Sequence, residues 1–208
     1  MKQAAASLTL AKYLPERAVP DIIALLRKHG VYLKLKGARS TKWGDFYNQK
    51  RNGYYYISIN RNLNPYQFLM TLVHELAHLT TLEKFGSKVP HHGKEWKSEF
   101  KRLMEPFLKE AYFPPDLLVI LKNHMINPKA AATTDTVLFK KLNAYSENSG
   151  AGVFVEDLNS GEEFIYKSRK YVRGHQIKKR ILCIQVETKR KFLFSPIARV
   201  EPWTDVEK

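Results

Sequence analysis

Residues 64–79, NPYQFLMTLVHELAHL, constrain the fold more than any other stretch, because they set two histidines into a helix that has to be buried. Asn64 can cap a helix and Pro65 suits its first position. Phe68, Leu69, Leu72, Val73, Leu76 and Leu79 then form one wide apolar stripe. On such a helix His74 and His78 are one turn apart and project from the same face, so both imidazoles reach one ion. Glu75 lies beside them.

Zinc suits this arrangement. Imidazole nitrogen is a good ligand at about 2.0–2.1 Å, and a catalytic site leaves one of its four positions to water, whose pKa falls to about 7. Glu75 is then placed to take that proton while the ion polarises a substrate carbonyl, which is peptide hydrolysis without a covalent intermediate. The bland alternative is a surface helix that happens to hold two histidines. The apolar stripe, the break at Gly86, Ser87 and Pro90, and a second histidine pair at the mouth of another helix favour the metal site.

The third ligand is less directly written. The spacing of the metzincin class requires Gly at position 81 and His at position 84, and the chain has Thr81 and Lys84. A glutamate from the next helix, Glu95 or Glu99, would give a His/His/Glu site. His92 is the better candidate, because Gly93 after it lets the backbone pack close to the metal helix. His91 would then face substrate or solvent.

Around this helix the pattern reads as α+β. VPDIIALLRKHG is an amphipathic helix with Ile22, Leu25 and Leu26 inward and Gly30 at its end. VYLKLKG and GYYYISINRNL alternate as strands on either side of the turn-rich WGDFYNQKRNG, suggesting a small antiparallel sheet. GKEWKSEFKRLMEPFL is helical with Trp96, Phe100, Leu103 and Phe107 on one face, and PPDLLVILKNHM closes this half. Trp43, Tyr47 and Tyr54 to Tyr56 are taken as core of the sheet. INPKAAATTD has no periodicity and reads as a linker over 126–136. Beyond it VLFKKLNAY, GVFVEDL, EEFIYK, RILCIQVE and KFLFSP are expected strands, separated by NSG, Arg173-Gly174 and charged turns. The expected division is therefore a first domain over 1–125 and a small all-β, basic module over 137–208.

A formal charge of +15 spread over both halves makes nucleic acid the leading partner and an anionic membrane the second. No apolar run approaches the roughly 20 residues of a membrane span. The N-terminus has no convincing export signal, since Lys12 and Pro15 interrupt its apolar stretch. Cys183, the one cysteine, excludes an internal disulfide, fits a reducing cytoplasm and is expected as a buried strand residue. In RKYVRGHQIKKR, Arg169, Lys170, Arg173, Lys178, Lys179 and Arg180 surround Tyr171, which suits phosphate contacts with one stacking surface. The competing reading is the solvated face of an edge hairpin.

HELAH at 74–78 followed by HGKEW at 92–96 resembles the SprT family of zinc metalloprotease domains, which includes the Spartan proteases. STKWGDFY and YYYISINRNL also resemble the segments before that family's metal helix, so the likeness covers roughly residues 20–125. It implies a zincin-like α+β domain, zinc held by His74, His78 and His92, one ion per chain, and Glu75 as catalytic base. It also implies cleavage of proteins bound or crosslinked to DNA. Many bacterial relatives end in a zinc ribbon built on cysteine pairs, which this chain lacks. Its ending looks like a ribbon descendant that kept strands and lost metal, and His124 and His175 are read as non-ligands. An extended substrate is expected to pair alongside YYYISIN. The alternative function is a DNA-binding protein whose zinc site is structural or catalytically silent.

Overall fold

Helix α1 (Val19–Lys28) buries Val19, Ile22 and Leu26 and leaves Leu25 half-buried. It ends as expected, with Gly30 at a φ of +59° that a side chain would disfavour. The alternation after it forms β1 (Val31–Lys36), whose Val31, Leu33 and Leu35 turn toward the core. Strands β2 (Gly44–Arg51) and β3 (Tyr54–Asn60) make a hairpin through Asn52 and Gly53, both at positive φ. The computed structural model of the chain describes residues 9–39, 41–146 and 152–203.

The sheet order is β1-β3-β2, and β1 pairs with β3 in parallel rather than antiparallel. An alternating pattern specifies a strand and its faces but not its direction. Here the chain turns back from β2 at Asn52-Gly53 and β3 enters between β2 and β1, antiparallel to the first and therefore in the same sense as the second. The small sheet is mixed, a correction to the antiparallel expectation.

Helix α2 (Pro65–Phe85) starts in a capping box: the Asn64 side chain accepts from the Tyr66 and Gln67 N–H groups, and the Gln67 side chain accepts from Asn64 N–H. All six residues of its apolar stripe are fully buried. It packs on β2 and β3 on one side and on α3 (Lys94–Met104) and α5 (Thr136–Asn143) elsewhere. Helix α4 (Pro115–Ile126) adds Leu117 and Leu121 to the same core. A helix wrapped on several sides by protein holds its side chains in fixed rotamers, which is what a metal site needs.

The chain divides into two units between Glu147 and Asn148, not across 126–136. VLFKKLNAY, expected as a strand, is α5: Asp135 caps it by accepting from Leu138 N–H, and Leu138 and Leu142, four residues apart, are fully buried in the first unit's core. Asn64 also donates to the Leu142 carbonyl and Ser146 hydroxyl, at 2.7 and 2.9 Å. His124 meets Asp135 at 2.8 Å, its structural partner. The expected linker is thus tied at both ends, Lys101 donating to the Ile126 carbonyl and Asp135 meeting His124, by bonds that its composition does not advertise.

The second unit is an all-antiparallel sheet in the order β4-β9-β5-β6-β7-β8. Its strands are β4 (Val153–Phe154), β5 (Glu163–Tyr166), β6 (Arg169–Ile177), β7 (Arg180–Gln185), β8 (Lys191–Phe194) and β9 (Arg199–Pro202). Arg173-Gly174 is not a separator but the site of a register shift inside β6, where an added Cβ at Gly174 would lie 2.8 Å from the Leu182 carbonyl oxygen. Cys183 is fully buried, and burial pushes its thiol up to about 11. NSG at 159–161 is a turn as expected, with Gly161 at a φ of +93°, whereas NSG at 148–150 and the first eight residues of the N-terminal stretch lie outside the described residues.

Candidate metal centre

Helix α2 and the turn entering α3 bring His74, His78 and His92 together. Nε2 of His74 lies 3.3 Å from that of His78 and 3.4 Å from that of His92. One ring nitrogen from each falls within 4.8 Å of the others. Nitrogens arranged tetrahedrally at zinc's usual bonding distance stand about 3.3–3.4 Å apart. The donor set and its spacing fit that ion.

Burial, then the charges of neighbouring imidazoles, holds all three rings below their ordinary titration range: His74 far below, His78 down to about 3, and His92 lowered. They are therefore neutral at physiological pH, the form in which imidazole binds a metal. Trp96, fully buried, stands behind them with ring centroids 4.7 Å from His74, 4.6 Å from His92 and 5.4 Å from His78. Phe100 backs His74 at 5.5 Å. The apolar face of α3 is thus the floor of the site.

The alternative carboxylate ligands lie elsewhere. Glu99 is buried but accepts from Lys84 at 2.6 Å and Arg102 at 2.7 Å, bonds that overcome its burial and bring its carboxyl down to about 2. Lys84, where a metzincin would need histidine, is thus the partner of a neighbouring carboxylate. Glu95 is outside the ligand group formed among the described residues. His91 is exposed, its ring 6.1 Å from that of His78. Gly93 is crowded by Pro90 and Glu95 of its own turn rather than by α2, so its role is to let that turn close.

Glu75 is buried at the base of a cleft of 480 Å³ bordered by His74, His78 and residues of β2. Burial, assisted by Asp45 and opposed by a bond from the Phe46 backbone N–H, pushes its carboxyl up to about 8. Gly44, the first residue of β2, makes room for it: a Cβ there would stand 2.7 Å from Glu75 Oε1. Ala131, Ala132 and Thr133 form part of the opposite border. Neither Gly44 nor this wall was picked out from the sequence. A glycine inside an alternating strand does signal a close approach, so WGDFY held the first clue.

Two further expectations change. YYYISIN is β3, the central strand, with β1 and β2 bonded to its two edges, so it has no free edge for a substrate. Tyr171 is buried against Phe164, Phe192 and Phe194 and offers no stacking surface. The six cations around it are dispersed as well. Arg169 and the Lys178, Lys179, Arg180 turn lie at opposite ends of β6, Lys170 pairs with Glu163 at 2.5 Å, and Arg173 donates to the Gly174 carbonyl. What is lost is the stacking ring at their centre, since Tyr171 turns into the core.

A model of the SprT-like family matches residues 24–117. Residues 24–117 of the first unit are thus similar to SprT-like domains, a likeness that supports a metalloprotease-like function in general. Neither a curated protein nor a solved structure matched the chain. No described helix is long and apolar enough to cross a membrane.

Proposed function

We propose that the chain is a zinc-dependent endopeptidase of SprT type, acting in the cytoplasm on proteins bound or crosslinked to DNA. The observation that carries this reading is the convergence of three neutral imidazoles beside a buried carboxylate in an open cleft. A purely structural zinc site closes its fourth position and has no use for a base. Zinc, when bound, supplies the Lewis acidity that polarises a peptide carbonyl and acidifies a water.

The chain's own residues do the rest. Glu75 accepts a proton and returns it to the departing amine; burial above all raises its carboxyl to about 8, and a cation held by the three neutral imidazoles would lower it toward the neutral range where such transfers are efficient. Gly44 gives the Glu75 carboxylate its place, and Trp96 fixes the imidazoles from behind. The outer edge of β2, next to the cleft, is where an extended substrate pairs by backbone hydrogen bonds. Such pairing reads little side-chain chemistry, and it suits a protease whose targets vary and whose selectivity comes from DNA. The chain's +15 charge supports that part of the reading.

The test is incubation with a DNA-crosslinked protein, with and without free DNA. Wild type is expected to cleave with about one zinc per chain, and DNA to stimulate turnover. Glu75→Gln should keep its zinc and lose roughly 10²–10⁴-fold in rate, and chelation should abolish cleavage. No cleavage by wild type, with DNA still bound, would leave a DNA-binding protein with a silent zinc site.

A further inference from the structure

The three-stranded sheet turns one face to α2 and the other to solvent, and the solvent face is not an ordinary polar one. Tyr32 is 56% exposed, and Tyr54 and Tyr47, where the sequence suggested core, are 53% and 38% exposed. The ring of Tyr56 joins them. Register places Tyr32, Tyr56 and Tyr47 side by side across all three strands, with the Tyr32 and Tyr56 rings 5.2 Å apart. Tyr54 continues the row along β3, since residues two apart share a face.

Cations fill the rest of this face. Lys34 and Lys36 alternate with the inward Leu33 and Leu35 and are exposed. Arg51 lies over the Tyr47 ring at 4.4 Å, and Arg39 spans Ser58 and Asn60. Residues 31–61 contain seven Lys or Arg and one acid, Asp45, which Lys42 pairs at 2.8 Å. Flat aromatic rings exposed between cations match a polyanion that carries its own stackable rings. A peptide partner would call for an apolar groove, and a duplex would have no free bases to offer the rings.

We propose that this face binds single-stranded nucleic acid, with bases stacked on Tyr32, Tyr54 and Tyr56 and phosphates held by Lys34, Lys36 and Arg51. The proposal deepens the functional reading by giving the nucleic acid a place on the same unit as the cleft, yet it does not require that the cleft be catalytic. β2 belongs to both surfaces: it carries Tyr47 on this face and borders the cleft at Gly44, Asp45 and Phe46. A strand held here runs beside the cleft mouth.

The experiment titrates the full chain with a fluorescent oligothymidine and with a duplex of equal length, by anisotropy. Single strand is expected to bind more tightly than duplex. Tyr32→Ala with Tyr54→Ala should weaken single-strand binding roughly tenfold or more, while Tyr32→Phe with Tyr54→Phe keeps it, because stacking needs the ring and not the hydroxyl. Lys34→Ala with Lys36→Ala should flatten the slope of log affinity against log salt by about 1.4. Circular dichroism and Glu75-dependent cleavage of an unfolded, DNA-free protein verify that the variants are folded. Wild-type binding by the alanine variant, equal loss in the phenylalanine variant, or loss of protein-substrate binding alone would overturn the proposal. Replacing Lys178, Lys179 and Arg180 with glutamate separates this face from the second unit: if that change removes all binding and the tyrosine change none, the proposal fails while the protease reading stands.

Discussion

A methyl group at position 44 would lie 2.7 Å from both Glu75 Oε1 and Thr71 Cγ2. The Glu75 side chain can swing, but only by leaving its place in the cleft. Gly44→Ala is therefore expected to keep zinc, lose most cleavage and lose about 1–3 kcal/mol of stability to crowding; metal content, turnover and thermal melting check the three together. Glu99 gives a prediction of a different kind. Its carboxyl lies at about 2 in the folded protein against an ordinary 4.5, so the Lys84 and Arg102 bonds contribute fully above about 4.5 and are lost as pH falls through about 2. Glu99→Gln should lower the melting temperature at pH 7 through the loss of about 1.5–3 kcal/mol per charged hydrogen bond at most. The gap between variant and wild type should close as the melts are taken down from pH 4.5 to pH 2.

At the scale of elements, the parts that announce themselves locally are the parts that read correctly. Asn64 and Pro65 marked the start of α2, the spacing of Phe68 to Leu79 marked its buried face, and Trp96 and Phe100 marked the face of α3 that floors the site. HELAH and the histidine before Gly93 named the three imidazoles that meet. What could not be read depends on partners distant in the chain. The parallel pairing of β1 is decided by β3 entering between it and β2. The fate of 126–136 is decided by His124 meeting Asp135 and by Asn64 reaching Leu142. Tyr47 and Tyr54 read as core but fall on the outward phase of the pleat, whose absolute side is fixed only by α2. The expected β module at 137 begins instead with a helix because Leu138 and Leu142 have a core to enter, which a nine-residue window does not reveal.

For the molecule as a whole, the division at 147/148 changes which fragment can be studied alone. A fragment of residues 1–147 keeps α5, Leu138, Leu142 and the partners of Asn64, and is expected to fold, bind about one zinc and cleave with Glu75 dependence. A fragment of residues 1–125 loses two fully buried leucines, each worth about 2–5 kcal/mol when truncated, together with the Ala131 to Thr133 border of the cleft. It should melt early or fail to accumulate, as limited proteolysis and zinc analysis would show.

Asn64 also orders events in time. Its oxygen grips the helix that begins beside it, but its amide nitrogen waits for Leu142 and Ser146, 78 and 82 positions later. During synthesis on the ribosome, the histidine-bearing helix is made long before the residues that lock its base have emerged. A nascent chain halted before Ser146 clears the exit tunnel carries all three imidazoles and still lacks the clasp at the foot of their helix, and is expected to hold a metal less firmly than the released first unit, as chelator competition on stalled and released chains would show.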